Sequence, residues 1–237
     1  MRRPRIIAHR GASGYEYENS LAAFRRAIML DADGVELDVH ATRDGAIVVH
    51  HDRDIPDVGP IPLLSLAEVR AARLRNGESV PLLAEVLELV QDRDVWVEVK
   101  SLVPSADAAL LGVLAAGPCP DRYAVHAFDH RVVRRLGAAA PDLRRGLLLS
   151  AYVLDPVAML RGSGATTLWQ QWELIDDDLV RCLHDAGCEL VAWTVNEVGD
   201  LERLTRMGVD GLCGNYPDRI RIATPSRWSG GHASSGT

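Results

Sequence analysis

Glu36 and Asp38 stand two positions apart in the run Gly34-Val-Glu-Leu-Asp38, and Glu98 and Lys100 do the same in Val95-Trp-Val-Glu-Val-Lys100. Both runs are short, apolar and β-branched, the pattern of buried strands. Side chains two apart on a strand share a face, so each pair points one way. Three carboxylates brought together from two neighbouring strands repel one another unless a cation sits among them. Their hard oxygen donors suit one divalent ion, Mg²⁺ or Ca²⁺. A lone strand glutamate reads as a solvated edge charge, whereas two such pairs argue for a cation site at the strand ends.

Two histidines could work beside that site. His9 closes the run Arg5-Ile-Ile-Ala-His9 and precedes Arg10-Gly11; taken alone, it reads as core packing or a satisfied polar contact. The run Ala46-Ile-Val-Val ends in His50-His51-Asp52. Alternation puts only one of these two on the inner face; His51, next to Asp52, is the choice, and His50 is expected outward. Imidazoles titrate near neutrality. One of a pair can therefore take a proton from a nucleophile while the other gives one to a leaving oxygen, which suits phosphoryl chemistry on a metal-bound anion. Arg10 and Lys100 would offset charge on the non-bridging oxygens.

Such side chains need a scaffold that gathers strand ends. Strand candidates recur at Arg5–His9, Gly34–Asp38, Val95–Lys100, Tyr123–Phe128, Arg145–Leu149, Thr167–Gln171, Glu189–Val195 and Gly208–Cys213. Between them, apolar residues recur at three- and four-residue steps in Ser20–Leu30, Leu82–Val90, Ala106–Ala116, Arg131–Ala139, Asp176–Ala186 and Gly199–Met207, with Val198, Leu201 and Leu204 sharing one stripe. The alternation predicts an α/β fold, a (β/α)8 TIM barrel. A doubly wound open sheet is the alternative, but no Gly-x-Gly-x-x-Gly turn follows the first strand. After Asp38 the turn Arg43-Asp44-Gly45 and the run Ala46–His51 predict a short hairpin, followed by a loop excursion over Asp52–Pro81 that should cover one barrel end. Residues 1–223 read as a single domain, and the Ser/Gly-rich stretch 224–237 as a disordered tail.

At 237 residues the chain is long enough for one such barrel. The net charge of -7 argues against a general nucleic-acid binder but leaves local anion binding open. Cys119, Cys182, Cys188 and Cys213 form no Cys-x-x-Cys pair, which fits reduced thiols. Neither a signal-peptide core nor a bilayer-length apolar run is present, so the expectation is a cytoplasmic protein without stable membrane insertion.

The motifs resemble, as an ordered set, those of the glycerophosphodiester phosphodiesterase family. The matches are His9-Arg-Gly11, Glu18-Asn19-Ser20 with Ala23-Phe24, Glu36-Leu-Asp-Val39 with Thr42-x-Asp-Gly45, and Val48-Val49-x-His51-Asp52. They continue with Pro81-Leu-Leu-x-Glu-Val-Leu87, Glu98-Val-Lys100, His126-x-Phe128, Trp193-Thr-Val-Asn196 and Gly208-Val-Asp-Gly211. The resemblance implies a metal-dependent hydrolase that releases glycerol 3-phosphate and an alcohol from small glycerophosphodiesters of the glycerophosphocholine or glycerophosphoethanolamine type. It implies Glu36, Asp38 and Glu98 as metal ligands, and His9 and His51 as an acid–base pair in either order. Arg10 and Lys100 would bind phosphate, with Glu18 an acidic residue near the site. It further implies Trp193 and His126 as pocket residues, although each could equally be barrel core. Three departures stand out. Tyr17 replaces a usual proline, the loop after His51 is short, and Cys213-Gly-Asn-Tyr-Pro217 lacks the usual aspartate of Thr-Asp-x-Pro. Two alternatives remain: lysophospholipase D-type cleavage of lysophospholipids at the same site, and a non-catalytic binder of phosphorylated metabolites.

Overall fold

The structure, a computed structural model, describes residues 3–224. Its strands are β1 (Arg5–His9), β2 (Gly34–Ala41), β3 (Ile47–Val49), β4 (Asp54–Ile55), β5 (Gly59–Pro60), β6 (Asp94–Ser101), β7 (Tyr123–Ala127), β8 (Arg144–Leu149), β9 (Thr167–Gln171), β10 (Glu189–Trp193) and β11 (Gly211–Gly214). The helices are α1 (Leu21–Met29), α2 (Leu66–Ala71), α3 (Leu83–Val90), α4 (Asp107–Ala116), α5 (His130–Ala139), α6 (Pro156–Ser163), α7 (Asp177–Asp185), α8 (Val198–Met207) and α9 (Pro217–Ala223).

Strands β1, β2, β6, β7, β8, β9, β10 and β11 pair in parallel in that order, and β11 pairs back onto β1. The ring is therefore closed, and the (β/α)8 barrel expected from the alternation is the fold. Strand β3 runs antiparallel to the outer half of β2, with Val39 opposite Val49, which is the expected hairpin. The excursion that follows carries its own small core of Ile55, Ile61, Val69, Leu74 and Val80, packed on Val48 and Tyr17.

Each of the eight barrel strands buries residues on both faces, as parallel strands under helices must. Outward residues such as Leu37, Val97, Val125 and Leu190 pack against the helical ring. Inward residues Ile7, Trp96, Ala124, Leu148, Trp169, Val191 and Cys213 fill the barrel as one layer. That layer is the floor on which any site at the C-terminal end must rest.

Local signals set the helix ends. The Ser20 and Asp176 side chains accept from the backbone N–H groups of Ala23 and Leu179, capping α1 and α7. Gly208 closes α8 in the left-handed region at φ 90. The strand expected from Gly208 consequently begins only at Gly211. Leu201 and Leu204 are fully buried, but Val198 is 46% exposed, because it opens α8 where the first turn overhangs the strand ends.

Candidate active site

Strand register assembles the site. His9 on β1 lies beside Glu36 on β2, Asp38 lies beside Glu98 on β6, and Glu98 lies beside His126 on β7. These inward side chains form the layer directly above Trp96, Trp169 and Cys213. One oxygen from each of Glu36, Asp38 and Glu98 falls within a span of 4.8 Å, and all three side chains are buried.

Two cations neutralise this cluster. Arg10 Nε lies 3.2 Å from Asp38 Oδ2, and its NH1 group donates to Glu18 Oε2 at 2.8 Å. Lys100 Nζ donates to Glu98 Oε1 at 2.7 Å and lies 3.5 Å from Asp38 Oδ1. Burial, then the charge on Asp38, pushes Glu98 up to about 7. Burial and the charges of Asp38 and Glu98 push Glu36 up as well. Burial would raise Asp38 too, but Arg10, Lys100 and a hydrogen bond from Asn19 overcome it and hold Asp38 below the usual carboxylate range.

A divalent ion fits this donor set. Three buried carboxylates offer hard oxygens from adjacent strands, and Asp38 Oδ1 accepts no hydrogen bond from the protein. Glu36, Asp38 and Glu98 would hold the ion.

Histidines 9 and 51 reach the same small cavity, about 100 Å³, together with Arg10, Lys100, His126, Phe128 and Trp193. His9 presents Nε2 to the site, 4.0 Å from Glu36 Oε2. Its burial, reinforced by the charge of Arg10, lowers it to about 4, so the ring is a neutral imidazole at physiological pH. His51 Nδ1 lies 2.8 Å from Asp52 Oδ1, and that hydrogen bond holds the Asp52 carboxyl below its ordinary range. His50 turns away from the cavity but is buried, donating from Nδ1 to the Asp52 carbonyl at 2.8 Å. His126 is buried between Trp96 and Trp169, with Nε2 3.9 Å from Glu36 Oε1 and neither ring nitrogen hydrogen-bonded to the protein. Trp193 packs edge-to-face on Phe128 at 5.5 Å and forms one wall. Glu18 lies behind Arg10 and does not line the cavity.

Three positioning contacts have no counterpart in the sequence reading. Asn19 is buried, donates Nδ2–H to Asp38 Oδ2 at 2.8 Å and accepts the Asp38 backbone N–H at 3.3 Å. His40, two residues beyond Asp38 on the same face, donates Nε2–H to the His51 carbonyl at 3.2 Å. Asn215, at the position of the absent aspartate, places Oδ1 2.8 Å from His9 Nδ1. The match Glu18-Asn19-Ser20 and the altered Gly-Asn-Tyr-Pro217 were the available signals for the two asparagines. Arg10 and Asn19 both adopt φ 54, a conformation that costs energy outside glycine and gathers at functional loops. Gly11, at φ 79, lets this loop lie against α1, since a Cβ there would come within 2.6 Å of the Ala23 carbonyl carbon.

Residues 9–219 match the model of the Glycerophosphoryl diester phosphodiesterase family. The chain belongs to this family. A glycerophosphodiester phosphodiesterase of Caldanaerobacter subterraneus subsp. tengcongensis is 34% identical over 231 residues, spanning 91% of this chain and 95% of the relative. An Oleispira antarctica phosphodiesterase, solved with the product sn-glycerol-3-phosphate, superposes with a TM-score of 0.86 at 25% identity, covering 93% of this chain and 96% of that one. A Parabacteroides distasonis glycerophosphodiester phosphodiesterase, at 24% identity, shares the fold with a TM-score of 0.84 over 94% of this chain and 97% of that one. The family resemblance read from the motifs is thus borne out, and membership makes this chain a hydrolase of phosphoric diesters.

Larger recesses of about 340 and 500 Å³ open at the opposite, N-terminal end of the barrel. Paired ions line them, among them Arg5 with Glu189 and Arg3 with Asp33. That end of a (β/α)8 barrel serves stability rather than chemistry, so size does not decide the site. Among the described residues, no helix is long and apolar enough to cross a membrane.

Proposed function

We propose that this chain hydrolyses glycerophosphodiesters to glycerol 3-phosphate and an alcohol with the help of one divalent cation, Mg²⁺ or Ca²⁺. The observation that carries the reading is a buried three-carboxylate cluster sharing one small cavity with two differently partnered histidines. When bound, the ion supplies Lewis-acid stabilisation of charge on the phosphoryl oxygens. Arg10 and Lys100 add positive charge beside the same oxygens.

The protons move through the histidines. His9 is a neutral ring with Nε2 toward the cavity, the form a general base needs. It takes the proton of the attacking group, either a glycerol hydroxyl of the substrate or a water. A new P–O bond forms on one side of phosphorus while the bond to the alcohol breaks on the other; where the hydroxyl attacks, the cyclic phosphodiester so formed is then opened by a water to give glycerol 3-phosphate. His51 gives its proton to the departing oxygen; the Asp52 carboxylate beside Nδ1 offers an acceptor to a ring that carries both protons. The four cysteines stand unpaired, which supports the cytoplasmic placement read from sequence.

A second substrate class, lysophospholipids, has one observation in its favour. The loops after the adjacent strands β6, β7 and β8 expose Val103 (63%), Phe128 (47%), Tyr152 (43%) and Leu154 (96%) along one side of the mouth. An acyl chain could lie there. The excursion after β3 contributes less apolar rim than its composition suggests, because Ile55 and Ile61 are buried in its own core.

The test is phosphomonoester release from a panel of glycerophosphodiesters and lysophospholipids, with and without chelator, across Mg²⁺, Ca²⁺ and Mn²⁺. Metal-dependent release of glycerol 3-phosphate from the soluble diesters supports the main reading. Turnover unaffected by chelator, or none on any diester, would refute it.

A further inference from the structure

We infer that Asn215 is a positioning residue for the acid–base pair, fixing His9 as the Nδ1–H tautomer and doing so without charge. The inference rests on the reading of His9 as the base. It starts from the 2.8 Å contact between His9 Nδ1 and Asn215 Oδ1. An amide oxygen has no proton to give, so this hydrogen bond exists only when Nδ1 carries one. The neutral ring then has its lone pair on Nε2, the nitrogen that faces Glu36 and the cavity. The other tautomer would put a proton on Nε2 and leave His9 unable to accept one from a nucleophile.

The asparagine is itself held from two sides. Its backbone N–H donates to Asn196 Oδ1 at 2.8 Å, and its carbonyl accepts from the Gly14 N–H at 3.0 Å. Gly14 lies in the loop after β1, whose Ser13 hydroxyl donates to the His9 carbonyl at 2.7 Å. The loops after β1, β10 and β11 therefore close a ring of contacts around His9. The neutral partner also separates the two histidines chemically. His51 meets a carboxylate at Nδ1, while His9 meets an amide there and has its nearby carboxylate, Glu36 Oε2 at 4.0 Å, on the Nε2 side.

The deciding measurement is a long-range ¹⁵N–¹H correlation spectrum of the full chain labelled at histidine, at pH 8, with the His9 signals identified by their loss in His9→Gln. The expected spectrum shows Nδ1 as the protonated, pyrrole-type nitrogen and Nε2 as the pyridine-type one. Asn215→Leu keeps side-chain size but removes the acceptor. It should erase the tautomer preference and lower kcat about 100-fold, with KM changed less than about threefold, as for a group that acts only in the transition state. Asn215→Asp restores an acceptor and should recover most of the lost kcat. A wild-type His9 found as Nε2–H overturns the inference whatever the variants do. So does an Asn215→Leu enzyme with wild-type kcat, or an Asn215→Asp enzyme no better than Asn215→Leu. Wild-type turnover by His9→Gln would instead remove the base assignment beneath it, a failure the tautomer spectrum distinguishes.

Discussion

Lys100 Nζ lies 2.7 Å from Glu98 Oε1, two residues along the same strand face, so a lysine shares the carboxylates that a divalent ion would take. Its ammonium is held above its ordinary range: burial opposes this, but Asp38 and Glu98 outweigh it. A bound metal would therefore compete with the lysine for Glu98, leaving the lysine free to meet the phosphate. Lys100→Met should bind Mg²⁺ more tightly, by roughly three- to tenfold given one fewer nearby positive charge. Its kcat/KM should fall about 100-fold for loss of a phosphate contact. Calorimetric Mg²⁺ titration beside steady-state kinetics checks both; weaker metal binding in the variant would count against the competition.

Metal binding should release protons. Glu98 titrates at about 7 and Glu36 is also raised, in both cases chiefly through burial. Metal ligation requires both ionised. Near pH 6 the free protein still holds protons that the ion must displace, so Mg²⁺ affinity falls as pH drops below about 7, not below the ordinary glutamate range. Titrations at pH 6 in two buffers of different ionisation enthalpy measure the release directly, and a value of zero would contradict the coupling.

His126 sets a different pH dependence. Burial lowers its folded value to about 3 from an ordinary 6.5. Between those values the unfolded chain binds a proton that the folded chain refuses, so this histidine's contribution to stability is present above about 6.5 and is lost as pH falls toward 3. Replacing it removes that slope even if the variant is less stable throughout. Urea midpoints of wild type and His126→Gln should converge between pH 7 and pH 5. A constant offset would show that His126 is not the titrating group.

The apolar arc gives a prediction about substrate choice. Tyr152→Ser combined with Leu154→Ser should lower kcat/KM on a long-chain lysophospholipid by about tenfold, the scale of losing part of one buried apolar side chain. On glycerophosphoethanolamine the same enzyme should stay near the wild-type value. Equal losses on both would place these residues in loop stability instead of acyl binding.

Much of this architecture was legible beforehand because it depends on local periodicity. A two-residue period put Glu36 with Asp38 and Glu98 with Lys100 on shared faces, and short apolar runs between amphipathic stretches marked all eight barrel strands. Contacts between residues distant in sequence were not legible in that way. Asn215 meets His9 across 206 positions, and the altered Gly-Asn-Tyr-Pro217 marks the residue but not its partner. Asn19 reaches Asp38 only because the loop after β1 folds back across β2. Composition also misled where burial was decided by tertiary packing. Val198 looked like helix core but overhangs the barrel, and the excursion expected over the barrel end turns Ile55 and Ile61 into a core of its own.

On the proposed function, His9 and His51 transfer protons beside a cation site that they do not build. Initial rates on a glycerophosphodiester should be taken for wild type, His9→Gln and His51→Gln at saturating Mg²⁺, with Mg²⁺ binding measured on the same preparations. Each variant should lose about 1,000-fold in kcat and still bind Mg²⁺ like wild type. Wild-type turnover by either variant, or loss of Mg²⁺ binding along with activity, would contradict it.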